Sequence, residues 1–254
     1  MVRIVNFINN LQDKHLNMNI IITGSSRGIG KAIAEVFAAE DACLFLCARD
    51  EIMLNNTIAE LQQKYPACTI KAKAVDLSDK SATQEFGKWC ISEGVPDILV
   101  NNAGSYVAGG ICDEADGNLE KMIAVNLYSA YHLTRTLLPK MIASPQSGGR
   151  ARHIFNICSI ASLQAYPNGG AYSISKFAML GFSKNLREEL KPHRIRVTSV
   201  CPGAVLTDSW GDYNNSDKRI MESNDIAQMV LAATRLSPQA VVEDIVLRPQ
   251  LGDL

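Results

Sequence analysis

Thr23-Gly24-Ser25-Ser26-Arg27-Gly28-Ile29-Gly30 is the stretch whose reading decides the fold. Three isoleucines, Ile20, Ile21 and Ile22, run into it, and Lys31-Ala-Ile-Ala-Glu-Val-Phe-Ala-Ala39 runs out of it. The isoleucines read as a buried parallel strand. Ile29, Ile33, Val36 and Phe37 recur at helical spacing, so the segment after the glycines reads as a helix. A glycine-rich turn between strand and helix suits a phosphate. Glycine lets the backbone come close, and the helix start offers unpaired N–H groups at the positive end of its dipole. The spacing is G-x3-G-x-G rather than G-x-G-x-x-G, and a tight turn without a ligand is the competing reading until other motifs are counted.

Outward from that turn the chain alternates. Strands are expected at 19–23, 42–47, 70–75, 97–100, 153–158, 195–200 and 241–247. Helices are expected at 29–39, 51–64, 79–93, about 118–143, 172–190 and 225–235. Strands separated by helices imply right-handed βαβ crossovers. The fold class is therefore α/β: a single Rossmann-type, doubly wound parallel sheet of about seven strands with helices on both faces. Ligands of such sheets sit beyond the carboxyl ends of the strands, at the switch in strand order.

Composition agrees. A chain of 254 residues suits one large α/β domain, and 47% hydrophobic residues suffice for its core. A formal net charge of −1 suggests no nucleic-acid or membrane-surface partner. Apolar runs fall short of the ~18–20 residues of a membrane span. Seven scattered cysteines, several inside strand-like runs such as Cys43-Leu-Phe-Leu-Cys47, read as small buried side chains in a reducing, cytoplasmic compartment. No Cys/His cluster has metal spacing, so no metal is expected. Residues 1–17 lack the pattern of a signal peptide. They read as an extension of uncertain role: either Met18 is the natural start of the 18–254 domain, or 1–17 form an accessory arm. The run Ser144-Pro-Gln-Ser-Gly-Gly-Arg150 reads as a surface turn.

Candidate functional residues follow the strands. Arg49, after the second strand, and Arg27, inside the glycine turn, are two cations suited to one anion. In dinucleotide folds an arginine here accommodates a 2′-phosphate, which favours NADP(H), whereas an acid such as Asp50 would hold a ribose. Asp76-Leu77 follows the third strand; the carboxylate is placed to meet an adenine amino group or to cap the next helix. Asn101-Asn102-Ala103-Gly104 follows the fourth, with small residues that let backbone pass close to a flat ring and asparagines suited to tie the loop to its neighbours. Ser159 follows the fifth. Tyr172 and Lys176 lie four apart on one helix face. A lysine ammonium favours the phenolate, and so suits Tyr172 to proton transfer near neutral pH. Asn126, inside an apolar helix, reads either as a satisfied buried amide or as a distortion that holds a water near Lys176.

Taken together these motifs resemble the short-chain dehydrogenase/reductases, in order and spacing, over roughly 18–254. The resemblance implies a catalytic tetrad of Asn126, Ser159, Tyr172 and Lys176, with Lys176 also on the nicotinamide ribose. It implies a cofactor path over Gly24, Ser26, Arg27, Gly28, Ile29, Arg49, Asp76, Leu77, Asn101, Ala103 and Gly104. It further implies that Pro202-Gly203-Ala-Val205-Leu-Thr207 lies along the nicotinamide, and that homodimers or homotetramers form through the helices at 118–143 and 172–190. The substrate is expected between loops 105–117, 160–171 and 204–224, against Tyr166 and Trp210. The stretch Gly203–Gly211 and the tail Val241–Leu254 look like bacterial sepiapterin-reductase-like enzymes, which implies reduction of a small carbonyl compound. A 3-oxoacyl-[acyl-carrier-protein] reductase is the alternative; it calls for a basic patch, for which Lys218-Arg219 is the nearest pair. A non-catalytic NADPH-binding redox sensor is a third reading, disfavoured by an intact tetrad.

Overall fold

The computed structural model describes residues 18–145 and 151–253; the expected N-terminal extension and residues 146–150 of the expected 144–150 turn lie outside them. Seven strands form one parallel sheet: β1 (Asn19–Thr23), β2 (Cys43–Ala48), β3 (Thr69–Ala74), β4 (Ile98–Asn101), β5 (His153–Ile157), β6 (Arg196–Pro202) and β7 (Asp244–Leu247). Their spatial order is 3-2-1-4-5-6-7. The helices are α1 (Gly28–Ala38), α2 (Glu51–Lys64), α3 (Lys80–Glu93), α4 (Asn118–Ile123), α5 (Ser129–Ala143), α6 (Gly170–Leu190) and α7 (Ser223–Thr234).

The core explains the order. Ile20 and Ile22 point to one face of β1 and Ile21 to the other, and all three are sealed from solvent. Each such side chain contributes roughly 1.5–3 kcal/mol relative to an exposed one. Alternation places Ile20 and Ile22 under α1 and α7, and Ile21 among the residues packed by α3, α5 and α6. Both faces of β1 must therefore be covered, which makes it a central strand. The edge strand β3 reads differently, with Lys71 and Lys73 among its residues and no strand fully buried position.

The strand order turns at β1. Ile20 pairs with Leu44 of β2 on one side and with Ile98 of β4 on the other. The chain leaves β1 for α1 on one face of the sheet and leaves β4 for α5 on the other, the switch point at which such sheets take a ligand.

Two expectations change. The helix expected at 118–143 is interrupted by a π-helical turn, Ala124–Tyr128, in which the Ser129 N–H reaches back five residues to the Ala124 carbonyl. Asn126 sits in that turn. The last strand begins at Asp244 rather than 241, because Val242 gives its carbonyl to the Thr198 hydroxyl instead of to a backbone ladder.

Candidate active site

The glycine turn is built by close contact. Gly24 (φ +63°) and Gly28 (φ +54°) hold left-handed backbone that other residues rarely adopt. A Cβ on Gly30 would lie 2.3 Å from the Gly24 carbonyl oxygen and 2.5 Å from Asn102 Nδ2. Asn102 clamps the turn by donating from Nδ2 to the carbonyls of Thr23 (2.9 Å) and Gly24 (3.0 Å). The Thr23 hydroxyl accepts the N–H groups of Asn102 and Ala103, both at 2.9 Å. The turn after β1 and the loop after β4 are thus one rigid unit at the crevice.

Asn101 makes ties of the kind expected of the asparagines, but into the core. Its side chain is buried and donates to Thr134 Oγ1 (3.1 Å) and Asn156 Oδ1 (2.9 Å). It ties β4 to α5 and β5. Asp76 differs from one of its two expectations. It accepts Ser78 N–H (2.9 Å) and Oγ–H (2.7 Å), while Asp79 caps α3 through Ala82 N–H. Those two hydrogen bonds, with Arg49 nearby, hold the Asp76 carboxyl below its ordinary range. Asp50 caps α2 by accepting Met53 N–H at 2.9 Å, which leaves Arg49 beside it as an exposed cation.

The π turn delivers Asn126 to the centre. Its Oδ1 accepts Ser105 N–H (2.7 Å), and its Nδ2 donates to the Ser105 carbonyl (3.0 Å) and to Ser175 Oγ (2.9 Å). Both earlier readings of Asn126 therefore hold in part: the amide is satisfied, and the helix around it is distorted. Ser105, Ser175 and Thr23 are scaffold residues that the sequence reading missed, whereas the ties made by Asn102 are those expected of the asparagines. Thr23 lies inside a quoted motif, but Ser175 offered no signal.

Lys176 is buried and donates from Nζ to the Ile157 carbonyl at 2.9 Å. A Cβ on Gly104 would lie 3.7 Å from that Nζ and 3.1 Å from Asn126 Oδ1, so Gly104 leaves space that any larger residue fills. The ammonium lies 5.8 Å from the centre of the Tyr172 ring. Ser159 caps the short helix Ile160–Ser162, its Oγ accepting Ala161 N–H at 3.1 Å. An oxygen that accepts there keeps its own proton to donate.

Aromatic residues surround Tyr172. Tyr106 meets it edge to face with ring centres 4.9 Å apart. Burial, with Tyr106 and Tyr172 alongside, pushes the Tyr166 hydroxyl up to about 12. Trp210 packs instead on Tyr213, with ring centres 5.2 Å apart, within the 204–224 segment. In that segment an isolated bridge between Val205 and Met221 uses Leu206 N–H and the Ala204 carbonyl, and leaves the N–H and C=O of Val205 out of it. The Val205 side chain itself is buried in the core rather than in the crevice. Pro202 ends β6, and Gly203 donates its N–H to the Leu247 carbonyl at 2.8 Å. Thr207 abuts the glycine turn: its Cγ2 lies 3.2 Å from where a Gly28 Cβ would be. The Ser26 carbonyl accepts the Thr57 hydroxyl at 2.8 Å, Ile29 packs on the core under α1, and Leu77 is buried in the core on the other face of the sheet. Among the described residues no cluster of His, Cys, Asp or Glu is arranged to hold a metal, and no helix is long and apolar enough to cross a membrane.

A doubly wound sheet with a glycine turn at its switch point, and a Tyr-Lys-Ser group at the ends of β5 and α6, defines an oxidoreductase of the dinucleotide-binding α/β class. Residues 18–218 match the family model for short chain dehydrogenases. An uncharacterized oxidoreductase of Staphylococcus aureus strain MRSA252 is 33% identical over 233 residues, spanning 90% of this chain and 96% of that protein. Among solved structures, a metagenomic short-chain oxidoreductase in complex with NADP is 31% identical, with a TM-score of 0.79 over 93% of this chain and 99% of that one. The L-sorbose reductase of Gluconobacter frateurii, complexed with NADPH and L-sorbose, is 27% identical, with a TM-score of 0.81 over 92% and 95%. The chain belongs to the short chain dehydrogenase family.

Proposed function

We propose that the protein is an NADP(H)-dependent reductase of small ketones, and that residues 18–254 act as one catalytic domain. The observation that carries this reading is the arrangement around Tyr172: a buried lysine behind it, a proton-bearing serine at the neighbouring strand end, and an aromatic wall of Tyr106 and Tyr166 in front. The residues fit the cofactor. The Gly24–Gly30 turn is close-packed by its glycines against the loop after β4 and leads into the start of α1, whose N–H groups suit a diphosphate, and Arg27 and Arg49 suit a 2′-phosphate. Asp76 and Leu77 suit the adenine, Ala103 and Gly104 the middle of the path, and Pro202, Gly203, Val205 and Thr207 the nicotinamide end. The two NADP-loaded relatives above support this choice.

When bound, NADPH supplies a hydride to the carbonyl carbon. The chain's own residues do the rest. Ser159 donates a hydrogen bond to the carbonyl oxygen and orients it. Tyr172 gives that oxygen its proton, so the ketone becomes an alcohol. Lys176 holds the ribose hydroxyls, and its positive charge supports the phenolate left behind. Asn126 fixes Ser105 and Ser175 on either side and so sets the place of Lys176.

The wall of Tyr106 and Tyr166, with exposed Val107, Ile111 and Leu163 in the adjoining loops, suits a planar or small apolar carbonyl compound such as sepiapterin or a diketone. Trp210 serves this site as part of the covering 204–224 segment. An acyl-carrier-protein substrate fits less well. Arg219 of the nearby basic pair is already committed to the carbonyls of Gly252 (2.9 Å) and Asp253 (3.1 Å). Exposed Tyr128, Tyr131, Ile174 and Phe177 on the π turn, α5 and α6 support a homodimer or homotetramer through those helices. The setting is cytoplasmic.

The test is NADPH oxidation by purified protein with sepiapterin, a vicinal diketone, L-sorbose and an acetoacetyl thioester, each repeated with NADH. Turnover of the first two with NADPH, and little with the thioester, is expected. Preference for the thioester overturns the small-ketone reading. Binding of NADPH with no turnover of any substrate favours the sensor.

A further inference from the structure

Arg27 is not idle beside the glycine turn. Its Nη1 donates to Asp208 Oδ2 at 2.9 Å, across 181 residues of sequence. Both side chains are about half exposed. Asp208 opens the short helix Asp208–Trp210, directly after Thr207, which is seated on Gly28. The two contacts together fasten the 204–224 segment to the turn, with a cavity of about 400 Å³ beside them lined by Gly28, Lys31, Thr207 and Asp208. The other cation there, Lys31, is paired with Glu60 and leaves Arg27 as the partner of Asp208. The Asp208 carboxylate therefore holds the guanidinium that a 2′-phosphate would claim.

We infer that Asp208 is a specificity-determining residue for the cofactor: it competes with the 2′-phosphate of NADPH for Arg27, and through that ion pair it latches the 204–224 segment. The inference rests on the proposed placement of the 2′-phosphate at Arg27. A phosphate carries more charge and more acceptor oxygens than a carboxylate, so it wins the guanidinium, but it must first displace Asp208. NADH has no group there and leaves the pair intact. Asp208 thus lowers affinity for NADPH and spares NADH, which narrows the preference that Arg27 and Arg49 create.

The test is a set of binding titrations, NADPH and NADH each followed by nucleotide fluorescence, on the full chain and three variants. Exposed ion pairs contribute modestly, so Asp208→Asn is expected to tighten NADPH about two- to fivefold and to leave NADH unchanged. Arg27→Ala is expected to weaken NADPH and spare NADH. In the double variant the gain from Asp208→Asn disappears, since competition needs Arg27. Trypsin digestion without nucleotide supplies an independent readout: cleavage after Lys218 is faster in Asp208→Asn than in the parent. Unchanged or weaker NADPH binding in Asp208→Asn refutes the competition. So does a gain that persists without Arg27, which points to plain charge repulsion. If Arg27→Ala affects both nucleotides equally, the placement of the 2′-phosphate fails first, and the inference with it.

Discussion

Gly30→Ala adds one methyl group to the most crowded point of the glycine turn. That carbon would sit 2.3 Å from the Gly24 oxygen, 2.5 Å from Asn102 Nδ2 and 2.9 Å from the Gly24 carbonyl carbon. Favourable carbon contacts begin near ~3.5 Å, so the start of α1 and the turn must separate by about 1 Å. The turn cannot yield alone, because Asn102 and Thr23 bind it to the loop after β4. Overpacking costs about 1–3 kcal/mol. Weakening the two Asn102 bonds adds about 0.5–1.5 kcal/mol each. Alanine's better helix propensity returns up to about 1 kcal/mol. The balance centres near a loss of about 3 kcal/mol, which for a chain of this size lowers the melting temperature by roughly 6–12 °C. Urea denaturation read by circular dichroism measures it, and an NADPH titration on the same samples is expected to show affinity at least tenfold weaker, by order of magnitude, as the turn opens. Gly181→Ala is the control: this glycine lies within α6 with nothing near its Cβ position, so alanine there stabilises by about 0.5–1 kcal/mol. A Gly30→Ala protein as stable as the Gly181→Ala protein would refute the close-packing argument.

Other outcomes follow from the same geometry. Tyr172→Phe keeps the ring beside Tyr106 but removes the proton donor, so kcat falls by on the order of 10²–10⁴ while NADPH binding barely changes; near-normal turnover in steady-state assays would remove Tyr172 from the mechanism. Arg49→Ala weakens NADPH far more than NADH in fluorescence titrations, and equal losses would place the 2′-phosphate elsewhere. His153 is fully buried, and burial with Arg196 and Arg187 nearby holds its pKa well below the ordinary 6.5. Its Nε2–H donates to Thr198 Oγ1 (2.7 Å), because the Thr198 hydroxyl is itself given to Val242. The native ring thus stays neutral while the unfolded ring protonates near 6.5, so stability is full above that pH and declines as pH falls below it, by no more than about 1.4 kcal/mol per unit from this group. Comparing denaturation at pH 7 and 5.5 with a His153→Leu variant checks it; an equal acid loss in both proteins would assign the effect to other groups.

Much of the architecture was legible because it is written in local patterns. A strand buried on both faces needs consecutive apolar residues, and Ile20–Ile22 supplied them. The boundaries of α2 match the expected 51–64, since Asp50 before it and Lys64 at its end are local signals. Ser159 directly follows its strand, and Tyr172 and Lys176 lie one helical turn apart, so local spacing alone is enough to single them out as candidates. The break at Ala124–Tyr128 was half legible: Asn126 is out of place in an apolar helix, but the turn's form depends on Ser105 and Ser175, which arrive from elsewhere in the chain.

What the sequence by itself determined was the alternation of strand and helix, the glycine turn and the candidates for the reacting groups. Each depends on neighbours within a few residues, where backbone geometry and hydrophobic period act directly. Only the tertiary structure decided which polar side chains serve the crevice and which serve the core. Asn101 and Asn102 are adjacent and chemically identical, yet successive side chains at the end of a strand point to opposite faces. One face met Thr134 and Asn156, and the other met the glycine turn. The same holds for Arg27 and Asp208, which no local pattern relates. Their pairing exists because the loop after β6 folds back over the turn after β1, and that approach is set by the order of strands in the sheet.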